Sequence, residues 1–343
     1  MRWIISFLVL SSFLWAQCLF KVDITSELEK NALHVKARLK DSAKSVSASF
    51  EHLPLANAKQ LQDAINNGTN ELNFNYTLID QETINSQFIM QLGRWLPSTS
   101  TLCAYELTVR LPKAMTAISE ANTVTVREKE SYTEWHFVMD KTIDHITLIA
   151  SPEYVTRSLH VKGVELVTYF FKKHESLAER YLQKTAQFLA EYEAILGPLP
   201  YKRFAIVENR FQTGYSMPTF TLIGDKLITK PYLIERSLGH ELAHQWMCIG
   251  IFLKDGSGNW SEGLTTWLSD FAVAKAKGEG ARYRHEALHS YMLETVTEKT
   301  LDDFLYRYDK ESKTLGYDKG MFLWEMLNQK LGQEKFHTLL QQL

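Results

Sequence analysis

The sequence predicts an α+β protein in two domains: an antiparallel β domain first and a mostly helical domain after it. Three observations lead there. The chain has 343 residues, above the usual size of a single domain. From Phe20 to about Ser151 its apolar residues recur every second position, and after Val164 to Phe171 they recur at helical spacing. The strand-like stretches are His34-Val-Lys-Ala-Arg-Leu-Lys, Glu71-Leu-Asn-Phe-Asn-Tyr-Thr-Leu, Tyr105-Glu-Leu-Thr-Val-Arg-Leu, Trp135-His-Phe-Val-Met and His145-Ile-Thr-Leu-Ile-Ala. Clusters such as Asn66-Asn-Gly-Thr mark turns, and one short helix is expected near Asn57 to Asn66. Val164 to Phe171 is a further strand. Ser176 to Leu196 carries Leu177, Tyr181, Leu182, Phe188, Leu189, Tyr192 and Leu196 on one face, an amphipathic helix that Gly197-Pro-Leu-Pro ends. Phe204 to Val207 is a short strand, and from Pro231 the chain reads as helix after helix. The expected divisions are 1–19, 20–155 and 156–343.

Composition sets the broad class. At 45% apolar, 23% charged and 12% aromatic the chain is an ordinary globular protein, and a net charge of −2 provides no basic field for nucleic acid. Arg2, the apolar run Trp3 to Trp15 and the small Ala16 have the outline of an export signal. About thirteen apolar residues fall short of the roughly 20 that span a bilayer, so an exported protein is expected, with membrane attachment only if this segment is retained as an anchor. Cys18 follows Gln17 rather than a small residue, which argues against lipidation. Cys103 and Cys248 fall in different expected domains and read as two lone buried thiols.

The chemistry is concentrated in His240-Glu-Leu-Ala-His244. Two histidines four apart on a helix share a face, so both imidazoles reach one ion while Glu241 stands beside it. A second copy, His285-Glu-Ala-Leu-His289, shows that the pattern alone is short. Its wheel puts Tyr283, Ala287, Leu288, Tyr291 and Met292 on one face and both histidines on the other with Arg282, a cation unsuited to a metal site. The first copy is surrounded by Leu242, Ala243, Trp246, Met247, Cys248, Ile249 and Ile251, the mark of a buried helix whose histidines need partners. Asn259-Trp-Ser-Glu262-Gly offers a third ligand at the start of the next helix. Two histidines and a glutamate leave tetrahedral zinc one open position, the catalytic arrangement, whereas structural sites are closed by four ligands. Glu241 is then the expected base and Tyr317, in Gly316-Tyr-Asp-Lys-Gly320, the expected oxyanion donor.

Together these segments resemble the gluzincin metallopeptidases of the aminopeptidase N and leukotriene hydrolase type. The resemblance runs in order through the β domain, Leu196-Gly-Pro-Leu-Pro-Tyr, Val207-Glu-Asn, His240-Glu-Leu-Ala-His-Gln-Trp246, Trp260-Ser-Glu-Gly263 and Tyr317-Asp-Lys-Gly320. It implies a saddle-like β domain followed by a thermolysin-like catalytic domain, one zinc on His240, His244 and Glu262, Glu241 as base and Tyr317 as oxyanion donor. Three departures stand out. The His244 to Glu262 spacing is one residue shorter than in the best-known members. Where the family carries G-x-M-E-N, whose acid captures the substrate's free amine, this chain has Gly214-Tyr-Ser-Met-Pro218. Gly214, Tyr215 and Ser216 are therefore expected to bind substrate as an edge strand, with amine selection either left to another acid such as Glu208 or missing. The chain also stops at Leu343, where relatives continue into a further helical domain.

The expected function is zinc-dependent peptide hydrolysis, exo or endo unresolved. Hydrolysis of a non-peptide substrate at the same site, or a binding protein with an idle site, are the alternatives.

Overall fold

The computed structural model describes residues 18–42, 45–211, 214–254, 256–294 and 299–342. The segment Arg2 to Ala16, expected to be an export signal, lies outside them. The chain divides into two compact units, Met1–Pro152 and Glu153–Leu343. The whole is mixed α+β.

The first unit is built on eleven described strands, β1 (Cys18–Glu27), β2 (Ala32–Asp41), β3 (Ala48–Ser49), β4 (Glu71–Ile79), β5 (Ile89–Gln91), β6 (Ser98–Thr99), β7 (Cys103–Leu111), β8 (Thr116–Ile118), β9 (Thr123–Glu128), β10 (Thr133–Ile143) and β11 (Leu148–Ser151), with one helix, α1 (Ala58–Asn66). Six strands form a sheet in the order β4-β2-β1-β7-β10-β9, and β5-β11-β8 form a smaller one. Alternation does the sorting: in β2 the residues Leu33, Val35, Ala37 and Leu39 are buried while those between are exposed. Asn31, in the left-handed region at φ 52°, turns β1 into β2, a conformation that asparagine tolerates. β11 begins at Leu148, three residues later than the alternation suggests, and β1 opens at Cys18.

The lone-thiol expectation fails for Cys103. β1 and β7 run parallel, with Leu19 opposite Ala104, and this register sets Cys18 against Cys103 with their Cα atoms 4.6 Å apart, joined as a disulfide. The bond ties residues 85 positions apart, a constraint on the unfolded chain of about 4.5 kcal/mol in the loop-entropy picture. No local sequence signal reports which strands of a sheet are neighbours. Cys248 keeps its thiol and is half-buried.

The second unit holds β12 (Tyr154–Val161), β13 (Val164–Phe171), α2 (Ala178–Leu196), β14 (Arg203–Asn209), β15 (Gly214–Met217) and β16 (Phe220–Gly224), then α3 (Leu238–Ala243), α4 (Ser261–Thr266), α5 (Ala272–Ala276), α6 (Gly280–Glu294), α7 (Lys310–Lys313), α8 (Gly320–Leu331) and α9 (Gln333–Leu340). The five strands pair in the order β12-β13-β14-β16-β15, with β13, β14 and β16 parallel and both edges antiparallel. Parallel β13 and β14 require a crossover, and α2 supplies it. Its stripe Tyr181, Leu182, Phe188, Leu189, Tyr192 and Leu196 is buried. Three π turns interrupt the later helices, at Leu233–Ser237, Trp267–Phe271 and Thr314–Lys319.

One buried acid in the first unit makes its stability depend on pH. Glu120 is 2% exposed, with the Thr147 N–H donating to its Oε2 at 2.6 Å, and burial pushes its carboxyl from 4.5 up to about 7. Ionisation is harder in the folded state, so stability is full below pH 4.5 and falls as pH rises towards about 7. The interval corresponds to about 3 kcal/mol. In urea unfolding, Glu120→Gln is expected to gain on the wild type by about that amount between pH 5 and pH 8. An equal difference at both pH values contradicts the assignment.

Candidate metal centre

His240 and Glu241 stand on α3 and His244 in the turn that follows it; Glu262 stands in the first turn of α4. The helix ends at Ala243, so Cys248, Ile249 and Ile251 lie beyond it, in a loop closed by Cys248 N–H donating to the Ile251 carbonyl at 3.0 Å. Leu242, Ala243, Trp246 and Met247 are buried as expected, and Trp246 ties the segment to the loop after α2. Its indole N–H lies 3.1 Å from the Gly197 carbonyl and 3.2 Å from that of Pro198, and its ring meets Tyr192 edge-on at 6.2 Å.

The three expected ligands converge. His240 Nε2 lies 3.1 Å and His244 Nε2 3.5 Å from the same oxygen, Glu262 Oε2, and one ligand atom from each residue lies within 4.8 Å of the others. Both imidazoles are oriented from behind. His240 Nδ1 faces Asp270 Oδ2 at 3.3 Å, and His244 Nδ1 faces the Met247 carbonyl at 3.4 Å. Each Nδ1–H is thereby engaged and each Nε2 is turned towards the common point, the usual preparation of metal-binding histidines. Two imidazole nitrogens and one carboxylate, with no cysteine among them, match the donor set of an open zinc site.

Charge couples these residues closely. Burial opposes a charge on His240, but Asp270 and Glu262 beside it push its pKa up to about 10. Burial raises the Glu262 carboxyl, but His244 and His240 outweigh it and hold it well below the ordinary range.

Asp270 is the residue that sequence reasoning missed. It comes eight positions after Glu262, about 80° out of line on a regular helix. The π turn Trp267–Phe271 takes up one extra residue and brings it back to within about 20° of the Glu262 face. Arg236 Nε holds the other oxygen, Oδ1, at 2.9 Å. An acid eight residues on, with a π turn between, leaves no periodic signal in a single sequence.

Tyr317 lies in the third π turn, its ring stacked on His240 at 5.8 Å and 9°. Burial and the neighbouring Glu262 raise its hydroxyl far above the usual value, so it stays protonated and able to donate. Glycines bring these helices together. A Cβ on Gly263 would lie 2.6 Å from Gly320 backbone, and one on Gly320 2.9 Å from Gly263 Cα. The glycine after Glu262 and the one three after Tyr317 are therefore one contact, α4 on α8.

His240, Glu241, Glu262, Asp270 and Tyr317 line a cleft of about 880 Å³ together with Gly214 and Tyr215. Ser216 instead turns its hydroxyl to Glu241, 2.6 Å from Oε2. Glu208 is not available to a substrate amine: it is fully buried, accepting from Phe171 N–H at 2.8 Å and meeting His174 Nδ1 at 2.6 Å. The second histidine pair stays on the exposed side of α6, and Leu288 and Met292, expected on its buried face, are 49% and 74% exposed. Only Gly280 and Ala287 of that helix are buried outright, which leaves the longer apolar side chains at the rim.

No family model and no curated protein matches the chain. Among solved structures it is similar to the M1 zinc metallopeptidase from Deinococcus radiodurans, at 16% identity and a TM-score of 0.66 over 94% of this chain and 85% of that one. It is also similar, at 15% identity over the same shares, to mutant M1 zinc metallopeptidases with L-arginine bound (TM-score 0.65) and with Tyr-Ser-Ala substrate bound (0.64). At these identities the likeness is one of fold: over 94% of its length this chain has the fold of the M1 zinc metallopeptidases.

Three outcomes are expected. Asp270→Asn should weaken zinc binding by about 10- to 100-fold in a competitive chelator titration, whereas His285→Ala with His289→Ala leaves it unchanged. Gly263→Ala should lower stability by about 1–3 kcal/mol and reduce zinc content together, because a methyl group there meets backbone rather than a movable side chain.

Proposed function

We propose that this chain is an exported zinc peptidase whose second unit is a thermolysin-like catalytic domain. The observation that carries the proposal is the convergence of His240 Nε2, His244 Nε2 and Glu262 Oε2 on one point, with Glu241 and Tyr317 beside it. Zinc held there supplies a Lewis acid for a carbonyl and a water. Glu241 takes the proton from the attacking water and delivers it to the departing amine as the new C–O bond replaces the C–N bond. The Tyr317 hydroxyl donates to the oxygen that becomes negative. β15 is an edge strand, so Gly214 and Tyr215 offer backbone groups to an extended peptide. The bound Tyr-Ser-Ala of the similar structure supports a peptide as substrate.

The disulfide supports export, since such bonds persist in oxidising compartments. Among the described residues no helix is long and apolar enough to cross a membrane.

Glu241→Gln should retain zinc and lose about 100- to 10,000-fold in kcat on a peptide panel. β15 carries no acid and Glu208 is engaged elsewhere, so a free and an N-acetylated peptide should be cut within about tenfold of each other. Stoichiometric zinc with no cleavage of any peptide, alongside hydrolysis of a non-peptide ester or epoxide, moves the reading to another hydrolase.

A further inference from the structure

We propose that Ser216 is a positioning residue for Glu241, holding the carboxylate of the base from the edge strand β15. This rests on the peptidase reading above. Glu241 projects into a cleft from α3, which continues the π turn Leu233–Ser237 without a break, and its side chain has three rotatable bonds. A base left to rotate spends much of its time away from the reacting water. The Ser216 Oγ lies 2.6 Å from Glu241 Oε2 and 3.0 Å from the Glu241 carbonyl. An ionised carboxylate only accepts, so the serine hydroxyl is the donor, at a distance ordinary for a charge-assisted O–H···O⁻ bond. With Oε2 held, Oε1 is left to take the proton. It lies on the side of Gly214, 3.8 Å from where a Cβ would stand on that residue.

The strand that carries Ser216 is itself fixed to the helix that carries the base. Gln245, fully buried in the turn after α3, uses both ends of its amide: Nε2 donates to the Met217 carbonyl at 3.0 Å and Oε1 accepts from Thr219 N–H at 2.8 Å. Those partners flank the turn between β15 and β16, one and three residues beyond Ser216. The turn is tight, with Thr219 at φ 72°. Gln245 N–H also donates to the Leu242 carbonyl at 3.0 Å, one residue short of the regular helical acceptor, which is Glu241. The Glu241 carbonyl is then turned towards the serine rather than closing the helix. Gln245 thus sets the register of β15, and Ser216 fixes the rotamer of the base. A hydroxyl is required at position 216; an alanine offers nothing to the carboxylate.

The test compares Ser216→Ala and Ser216→Thr with the wild type in the zinc-loaded enzyme and, separately, in metal-free protein. Ser216→Ala should lower kcat by about 10- to 100-fold with KM and zinc content unchanged, the scale expected of a misplaced catalytic group, and Ser216→Thr should restore most of it. In metal-free protein Ser216→Ala should lower the Tm by about 2–4 °C in the wild-type background and clearly less beside Glu241→Ala, because the partner is then already gone. Equal losses in both backgrounds mean that the serine serves only the backbone carbonyl, and overturn the proposal. So does wild-type activity that Ser216→Ala leaves within about twofold. Wild-type protein that cleaves no peptide overturns the peptidase reading, and the role of Ser216 with it.

Discussion

Two imidazole nitrogens and one carboxylate oxygen are held close around a single point in the second unit, and the rest of that unit is arranged to keep them there. Such a cluster is costly unless a cation fills it. A lone carboxylate in this buried position is disfavoured, and two buried imidazoles facing each other are no better. Positive charge between them meets both demands: Asp270 and Glu262 push His240 up to about 10, and His244 and His240 hold Glu262 well below the ordinary range. Asp270 and the Met247 carbonyl act from behind, so neither ring is able to turn its Nε2 away without losing the partner on Nδ1.

Helix register is the second constraint. The π turns stand before α3, after α4 and before α8, beside the residues that bring His240, Glu262 and Tyr317 to the cleft. A π turn places one residue more in the circuit and rotates whatever follows it, so side chains distant in phase come to share a face. Asp270 reaches His240 by this means. The close passage of Gly263 over Gly320 then sets the depth at which Glu262 and the Tyr317 ring meet. Local winding and one helix crossing together define the geometry.

The sheet contributes through its edge. β15 has a partner on one side alone, β16, and its two faces are divided in use: Tyr215 is half exposed at the cleft, while Ser216 is turned to Glu241. β15 carries no acid, and its Ser216 hydroxyl is directed at Glu241. Glu208, the nearest acid along the chain, is occupied within the protein by His174 and the Phe171 amide.

Much of this was legible in the amino-acid sequence. Alternation marked β2, β4, β7 and β10, helical spacing marked α2, and the paired histidines with Glu262 could be named beforehand as the side chains that the structure brings together. Those features are local: a period of two or 3.6, or a spacing of four along one helix, is written into neighbouring residues. What only the tertiary structure decided is non-local. The parallel register of β1 on β7 paired Cys18 with Cys103, a π turn brought Asp270 behind His240, and the turn pinned by Gln245 directed Ser216 at Glu241. Each depends on which elements lie side by side and on how far one is rotated against another. Packing sets those quantities, and residue spacing carries no record of them.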